Sequence, residues 1–217
     1  MTETRSEPYI WVTWLTKLLA GESQCEWSAW FRAHHTAYDK VPSDFDLASW
    51  TMDHNELVAA RREQLLEDGY EVFIEDENAF KRIGSTGIIV SGKPDILAIR
   101  ERIGVVEDCK TGRPRASDQL QVLVYLLLLP IRNPRCANLS LSGRVVYKTK
   151  AVDIPASALD GAFRQRFVDL VHRVGGETPL AKLPSWSECR WCDIASTVCL
   201  ARVTEPPPSA EAETDLF

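Results

Sequence analysis

Apolar residues recur at helical spacing over residues 8–19. Trp11, Trp14, Leu15 and Leu18 share one face there and Gly21 stops the pattern, which predicts an amphipathic helix. Cys25 follows in the turn. Residues 26–35 read as a second short helix, and Pro42, Ser43 and Asp44 supply a cap for a long helix ending near Asp68, with Gly69 beyond it. From residue 71 the period shortens to two. Residues 71–75 alternate polar and apolar, and residues 87–90, 95–100 and 104–108 are Val/Ile-rich runs punctuated by Gly and Pro. These predict a meander of three strands, or four with the first. Residues 116–129 turn apolar almost all round, which predicts a buried helix stopped by Pro130. Residues 143–149 and 151–154 read as a strand pair, residues 155–174 as an amphipathic helix ended by Gly175 and Gly176, and residues 178–202 as a loop-rich cysteine module.

The order predicts an α/β domain with a mixed sheet flanked by helices and helical additions at both ends. The expected organisation is an N-terminal helical segment (1–43) carrying Cys25, a core (44–175), a C-terminal cysteine module (176–203) and an acidic tail (204–217). That tail, with its Pro run and no basic residue, is expected to be disordered.

Composition adds boundaries rather than direction. The 217 residues suffice for one well-buried core, and 45% hydrophobic with 26% charged residues is ordinary for a globular protein. The N-terminus lacks a basic start with an apolar stretch behind it, and the longest apolar run, residues 122–129, is too short to span a bilayer. A cytoplasmic protein without membrane attachment is expected. Its cysteines then read as ligands or buried thiols rather than disulfides. The net charge of −6 argues against a generally basic nucleic-acid coat. However, Glu205, Glu211, Glu213 and Asp215 in the tail carry four of those charges, and Arg113, Arg115, Arg132, Arg135 and Arg144 are candidates for a local basic groove.

The chemistry concentrates in residues 92–125. Asp95 ends a Gly-Lys-Pro-Asp turn that opens one strand, and Asp108 and Lys110 stand two apart at the end of the next. Alternation puts Asp108 and Lys110 on one face and Glu107 on the other. Two carboxylates can hold Mg²⁺ or Mn²⁺, with the backbone carbonyl of Cys109 as a third oxygen ligand. Such an ion neutralises a scissile phosphate and acidifies water, and a lysine beside it offsets developing negative charge. Gln121 and Tyr125 lie four apart on the following helix and share a face.

Together, residues 92–95 (GKPD), 108–110 (DCK) and 121–125 (QVLVY) resemble the motifs of PD-(D/E)XK nucleases of the RecB branch. The resemblance is closest to the CRISPR-associated iron–sulfur exonuclease family, and AddB-type nuclease domains share it. It implies a restriction-endonuclease-like core. Asp95, Asp108, Lys110, Gln121 and Tyr125 are the implied catalytic residues. His54, on a helix before the strands, is an implied extra metal ligand, with Glu75 as a possible completion of the site. The implied activity is that of a divalent-metal-dependent deoxyribonuclease, an exonuclease on single-stranded DNA ends, in CRISPR spacer acquisition or DNA repair. CRISPR integrase proteins or a helicase are the implied protein partners.

Cys189, Cys192 and Cys199 form a C-terminal run in which a C-x-x-C pair can reach one metal. Four thiolates suit Zn²⁺ or an iron–sulfur cluster alike. The resemblance implies that Cys25 is the fourth ligand, that the group is a [4Fe–4S] cluster, and that it clips the two chain ends together. Trp186 and Trp191 would shield it, while Trp11, Trp14, Trp27 and Trp30 read as core. A catalytically idle iron–sulfur or zinc DNA-binding adaptor remains the alternative of a different class.

Overall fold

The computed structural model describes residues 2–208. Its elements in chain order are β1 (Glu3–Thr4), β2 (Tyr9–Trp11), α1 (Val12–Leu19), α2 (Glu26–His34), β3 (His35–Ala37), α3 (Leu47–Glu67), β4 (Glu71–Ile74), β5 (Phe80–Ile83), β6 (Ile89–Gly92), β7 (Ile96–Arg100), β8 (Ile103–Lys110), α4 (Ala116–Arg132), β9 (Ser140–Tyr147), β10 (Ala151–Ile154), α5 (Gly161–Gly175) and α6 (Trp186–Cys189). The fold is mixed α/β. A five-stranded sheet runs β10-β9-β8-β7-β4, a three-stranded sheet runs β2-β6-β5, and β1 pairs with β3. In the large sheet only β8 and β9 are parallel. The crossover that parallel pairing demands is supplied by α4.

The central strand β8 is buried along most of its length because helices cover both of its faces. On one face Leu97, Val106 and Val145 pack with Val122, Leu126 and Leu129 of α4. On the other, Ile96, Ala98, Cys109 and Val146 pack with Val58 and Leu65 of α3. The two-residue period therefore sends Asp108 toward α4 and Glu107 toward α3, as expected. Glu107 is fully buried, and its carboxylate accepts two 2.7 Å bonds from Arg61 and one of 3.3 Å from Arg144. A buried charge needs such partners.

Several expected elements differ. Residues 9–11 are a strand parallel to β6, so the predicted helix begins only at Val12. Ile10 is fully buried in that strand, while Trp11 points outward and is 41% exposed rather than core. The predicted meander is split. β6 pairs with β2 and the unforeseen β5, while β7 continues into the large sheet, the turn around Pro94 separating them. Pro130 does not stop α4, which runs to Arg132. An exposed proline in the last turn forfeits only one backbone bond there. The long helix α3 is capped by Asp46, whose side chain accepts from the Ser49 N–H at 2.9 Å, rather than by residues 42–44. A 3-10 turn spans Ala156–Ala158, and α5 starts behind the Asp160 cap. The expected tail disorder falls mainly on residues 209–217, outside the described residues. Among the described residues no helix is long and apolar enough to cross a membrane.

Candidate functional site

A cavity of about 400 Å³ opens where the two sheets meet α1, α3 and α4; Asp95, Asp108, Lys110, Gln121, Tyr125, His54 and Cys109 all line it. The strand end of β8 delivers Asp108 and Lys110, whose ammonium lies 2.5 Å from Asp108 Oδ2. Gln121 ties the group together. Its amide donates to Asp108 Oδ1 at 2.9 Å and to the Tyr125 hydroxyl at 2.8 Å, and its carbonyl accepts from Lys110 at 3.1 Å. Tyr125 in turn donates to the Lys93 carbonyl at 3.3 Å. A glycine is required beside it: a Cβ on Gly92 would lie 2.8 Å from the Tyr125 ring and 2.6 Å from Phe80. Asp95 Oδ2 accepts the Cys109 N–H at 2.6 Å, and Asp95 Oδ1 stands 3.4 Å from His54 Nε2. The i and i+4 placement of Gln121 and Tyr125 thus aims both side chains at the strand ends.

The electrostatics follow from depth. Asp108 is 1% exposed; burial, reinforced by the Asp95 carboxylate, raises its pKa despite Lys110. Burial opposes charge on Lys110, but Asp108 outweighs it and raises the lysine. The hydrogen bond to Asp95 raises His54. Burial first, then the Asp108 charge, pushes the Tyr125 phenol well above its usual value. Asp108 Oδ2, although near Lys110, has no aligned donor, and His54 Nδ1 has no partner. A buried carboxylate oxygen with free lone pairs, next to a second carboxylate, is a donor set that suits a hard divalent cation. Among the described residues, no three His, Cys, Asp or Glu side chains are spaced to clasp an ion as they stand.

The second site is a neighbouring cavity of about 670 Å³, and Thr13 lines both. Cys25, Cys189, Cys192 and Cys199 all line this larger cavity and all are free thiols. Two acidic residues hold its walls together. The Glu188 carboxylate accepts from the Ser23 hydroxyl (2.5 Å), the Gln24 N–H (3.0 Å) and the Cys25 N–H (3.2 Å). Asp193 accepts from Arg32 at 2.7 and 2.9 Å and from the Tyr38 hydroxyl at 2.9 Å. The Arg32 guanidinium also stands 3.6 Å from Cys192 Sγ. Burial raises the Cys192 thiol, with Arg32 working against it. Four soft thiols with cationic neighbours fit a thiolate-bound cluster in chemistry.

Other expectations are redistributed. Arg144 serves Glu107 and Asp153 on the far face, Arg132 donates to the Lys81 carbonyl and Arg135 lies over Phe73. Trp27 and Trp30 are core, but Trp191 is 73% exposed and shields little. His34 and His35 spend their Nδ1 atoms on the carbonyls of Trp30 and Phe31. Glu75 does line the Asp95–Asp108 cavity, on a backbone with φ of 44°, strained for a non-glycine residue. Trp50, Lys93 and Trp11 line that cavity too.

No protein-family model matches the chain, and no curated protein does. Among solved structures, the one titled "Crystal structure of SSO0001" is similar: 16% identity and a TM-score of 0.46, over 93% of this chain and 90% of that one. At that TM-score the likeness carries no argument about function.

Proposed function

We propose that this chain is a divalent-metal-dependent deoxyribonuclease with a restriction-endonuclease-like core, acting on single-stranded DNA ends and carrying a [4Fe–4S] cluster. The observation that carries the reading is the convergence of Asp95, Asp108, Lys110, Gln121 and Tyr125 on one cavity, with Gln121 bonded to three of the others. Asp95, Asp108, His54 and the carbonyl of Cys109 would hold Mg²⁺ or Mn²⁺. The ion, when bound, supplies charge neutralisation at the scissile phosphate and lowers the pKa of water. The protein's own part is positional. Asp108 is the buried carboxylate, and Lys110 places a positive charge beside it to orient the attacking water and offset charge developing on phosphate. Gln121 fixes both, and the buried Tyr125 ring closes the floor against bulk water. Cys25, Cys189, Cys192 and Cys199 would hold the cluster and join the chain ends.

The test is degradation of end-labelled single- and double-stranded DNA with Mg²⁺ or Mn²⁺. Asp108→Ala and Lys110→Ala should each lower the rate by a factor of about 10³ or more, in line with losing groups that act on the transition state. Undiminished cleavage by both variants would locate the activity elsewhere. DNA binding without cleavage under any metal would leave the idle adaptor.

A further inference from the structure

Two indoles border the catalytic cavity and neither is used by the chemistry above. Trp50, on α3, is 41% exposed and stacks on His54, ring centroids 5.1 Å apart and planes 11° from parallel. Trp11, at the end of β2, is 41% exposed and lines the same cavity. Strand alternation puts Tyr9 on the same side as Trp11, and the rings meet edge to face at 5.7 Å. Two cations then lie over Tyr9: the Arg5 guanidinium at 5.5 Å and the Lys81 ammonium at 5.7 Å from its centroid. Large apolar rings left half in water at a cavity mouth forgo burial worth keeping, which marks a contact surface.

We infer that Trp50 and Trp11 are base-stacking, specificity-determining residues at the mouth of the site, and that Tyr9, Arg5 and Lys81 continue the path for the strand leading away from it. The inference rests on the nuclease reading and deepens it. An indole can stack only on a base plane that is free, so these residues select unpaired nucleotides, while the alternating cations hold the phosphates between them. A cavity of about 400 Å³ has the size of a small-ligand pocket rather than a duplex groove. Phe45, Leu47 and Met52 are exposed near Trp50, which would also suit a protein contact. A protein seated on Trp50 and Trp11, however, would cover the cavity that holds Asp95, Asp108 and Lys110.

The experiment measures binding of fluorescein-labelled thymidine strands of about 15 nucleotides, the upper range of such site sizes. It uses the full chain without added Mg²⁺ or Mn²⁺, beside an abasic strand of equal length. Trp50→Ala should weaken binding of the thymidine strand about tenfold or more, and Trp11→Ala about fivefold, with the abasic strand unaffected. Trp50→Phe, which keeps a ring, should stay within about threefold of the wild type, and it serves where Trp50→Ala melts early. Equal binding by all variants would overturn the inference. So would a change in the sedimentation of the free protein with Trp50→Ala and none in DNA binding, since the patch would then join copies of the chain. Tryptophan-dependent binding by a wild type that cuts nothing would sink the nuclease reading and leave this one standing. Cleavage of single strands unaltered by both alanine variants would do the reverse.

Discussion

The two cavities share a wall at Thr13 and are built in opposite ways. The proposed catalytic groups sit on strand ends and helices, and most polar atoms there are engaged by another member of the site, Asp108 Oδ2 and His54 Nδ1 excepted. The thiols of the larger cavity sit on loops and a short helix from the two ends of the chain. Their walls are held by Glu188 and Asp193 across more than 150 residues of sequence, while the sulfurs themselves engage little beyond Arg32. In the first arrangement most charge is answered from within, Asp108 by Lys110 and Asp95 by His54. The second lines one cavity with four thiols that are not spaced to clasp an ion as they stand and have little to occupy them, so a cluster bound there would contribute folding free energy directly.

The largest effects should separate the two. Cys189→Ser should remove the iron from purified protein and lower its stability by about 3–5 kcal/mol, a fall in Tm of about 10 °C for a chain of this size. Asp108→Ala should do the opposite: activity lost and iron content intact, with a smaller fall in Tm, since removing a carboxylate that burial disfavours partly offsets leaving Lys110 and the Gln121 amide without their partner. Iron content unchanged in Cys189→Ser would take that residue out of the ligand set. Tm falling in Asp108→Ala as far as in Cys189→Ser would show that the active site, too, is needed for folding.

A smaller effect tests whether the Gln121 network acts as a unit. Gln121→Ala removes the bridge between Asp108, Lys110 and Tyr125 without touching either charge. The rate of DNA cleavage should fall about 10- to 100-fold, with the metal-concentration dependence shifted because Asp108 is no longer held. On the other side, Glu188→Gln weakens the clasp on Ser23, Gln24 and Cys25. It should cost about 1–2 kcal/mol and speed loss of iron in air, with the initial cleavage rate unaffected. A drop in initial rate equal to that of Gln121→Ala would mean the two cavities are coupled through their shared wall.

The same contrast explains what could be read from the sequence. The shared faces of Asp108 with Lys110 and of Gln121 with Tyr125 were legible because strand alternation and the helical repeat fix which neighbours lie together; their choice, with Asp95, as site residues came from the resemblance. The opposite facing of Glu107 was legible for that reason, but its partners Arg61 and Arg144 were not, since register between distant elements has no local signal. The pairing of β2 with β6 was hidden in the same way. Trp11 at helical spacing with Trp14, Leu15 and Leu18 looked like one face of a helix, and only a partner strand some 80 residues later makes it an exposed strand residue. Trp50 was missed because a tryptophan on a helix reads as core until its neighbours are placed. Cys25 came from the resemblance alone; no spacing links it to residues 189–199.

The subtlest test concerns His54, the residue through which α3 reaches Asp95. Its hydrogen bond to Asp95 raises the imidazole pKa above its ordinary value near 6.5. The folded protein therefore holds this proton more tightly than the unfolded chain. The resulting stability is fully present below about pH 6.5 and is lost as pH rises through the raised folded value. Without divalent metal, the wild type should lose up to about 1 kcal/mol relative to His54→Gln between pH 6 and pH 8, the imidazole being only half-buried and its pairing partly screened. Saturating Mn²⁺ should abolish the difference, because a cation on Asp95 competes with the proton. If the two proteins instead show parallel pH profiles with and without Mn²⁺, His54 and Asp95 do not interact as a pair, and the catalytic cavity is less completely self-compensated than the contrast with the thiol cavity requires.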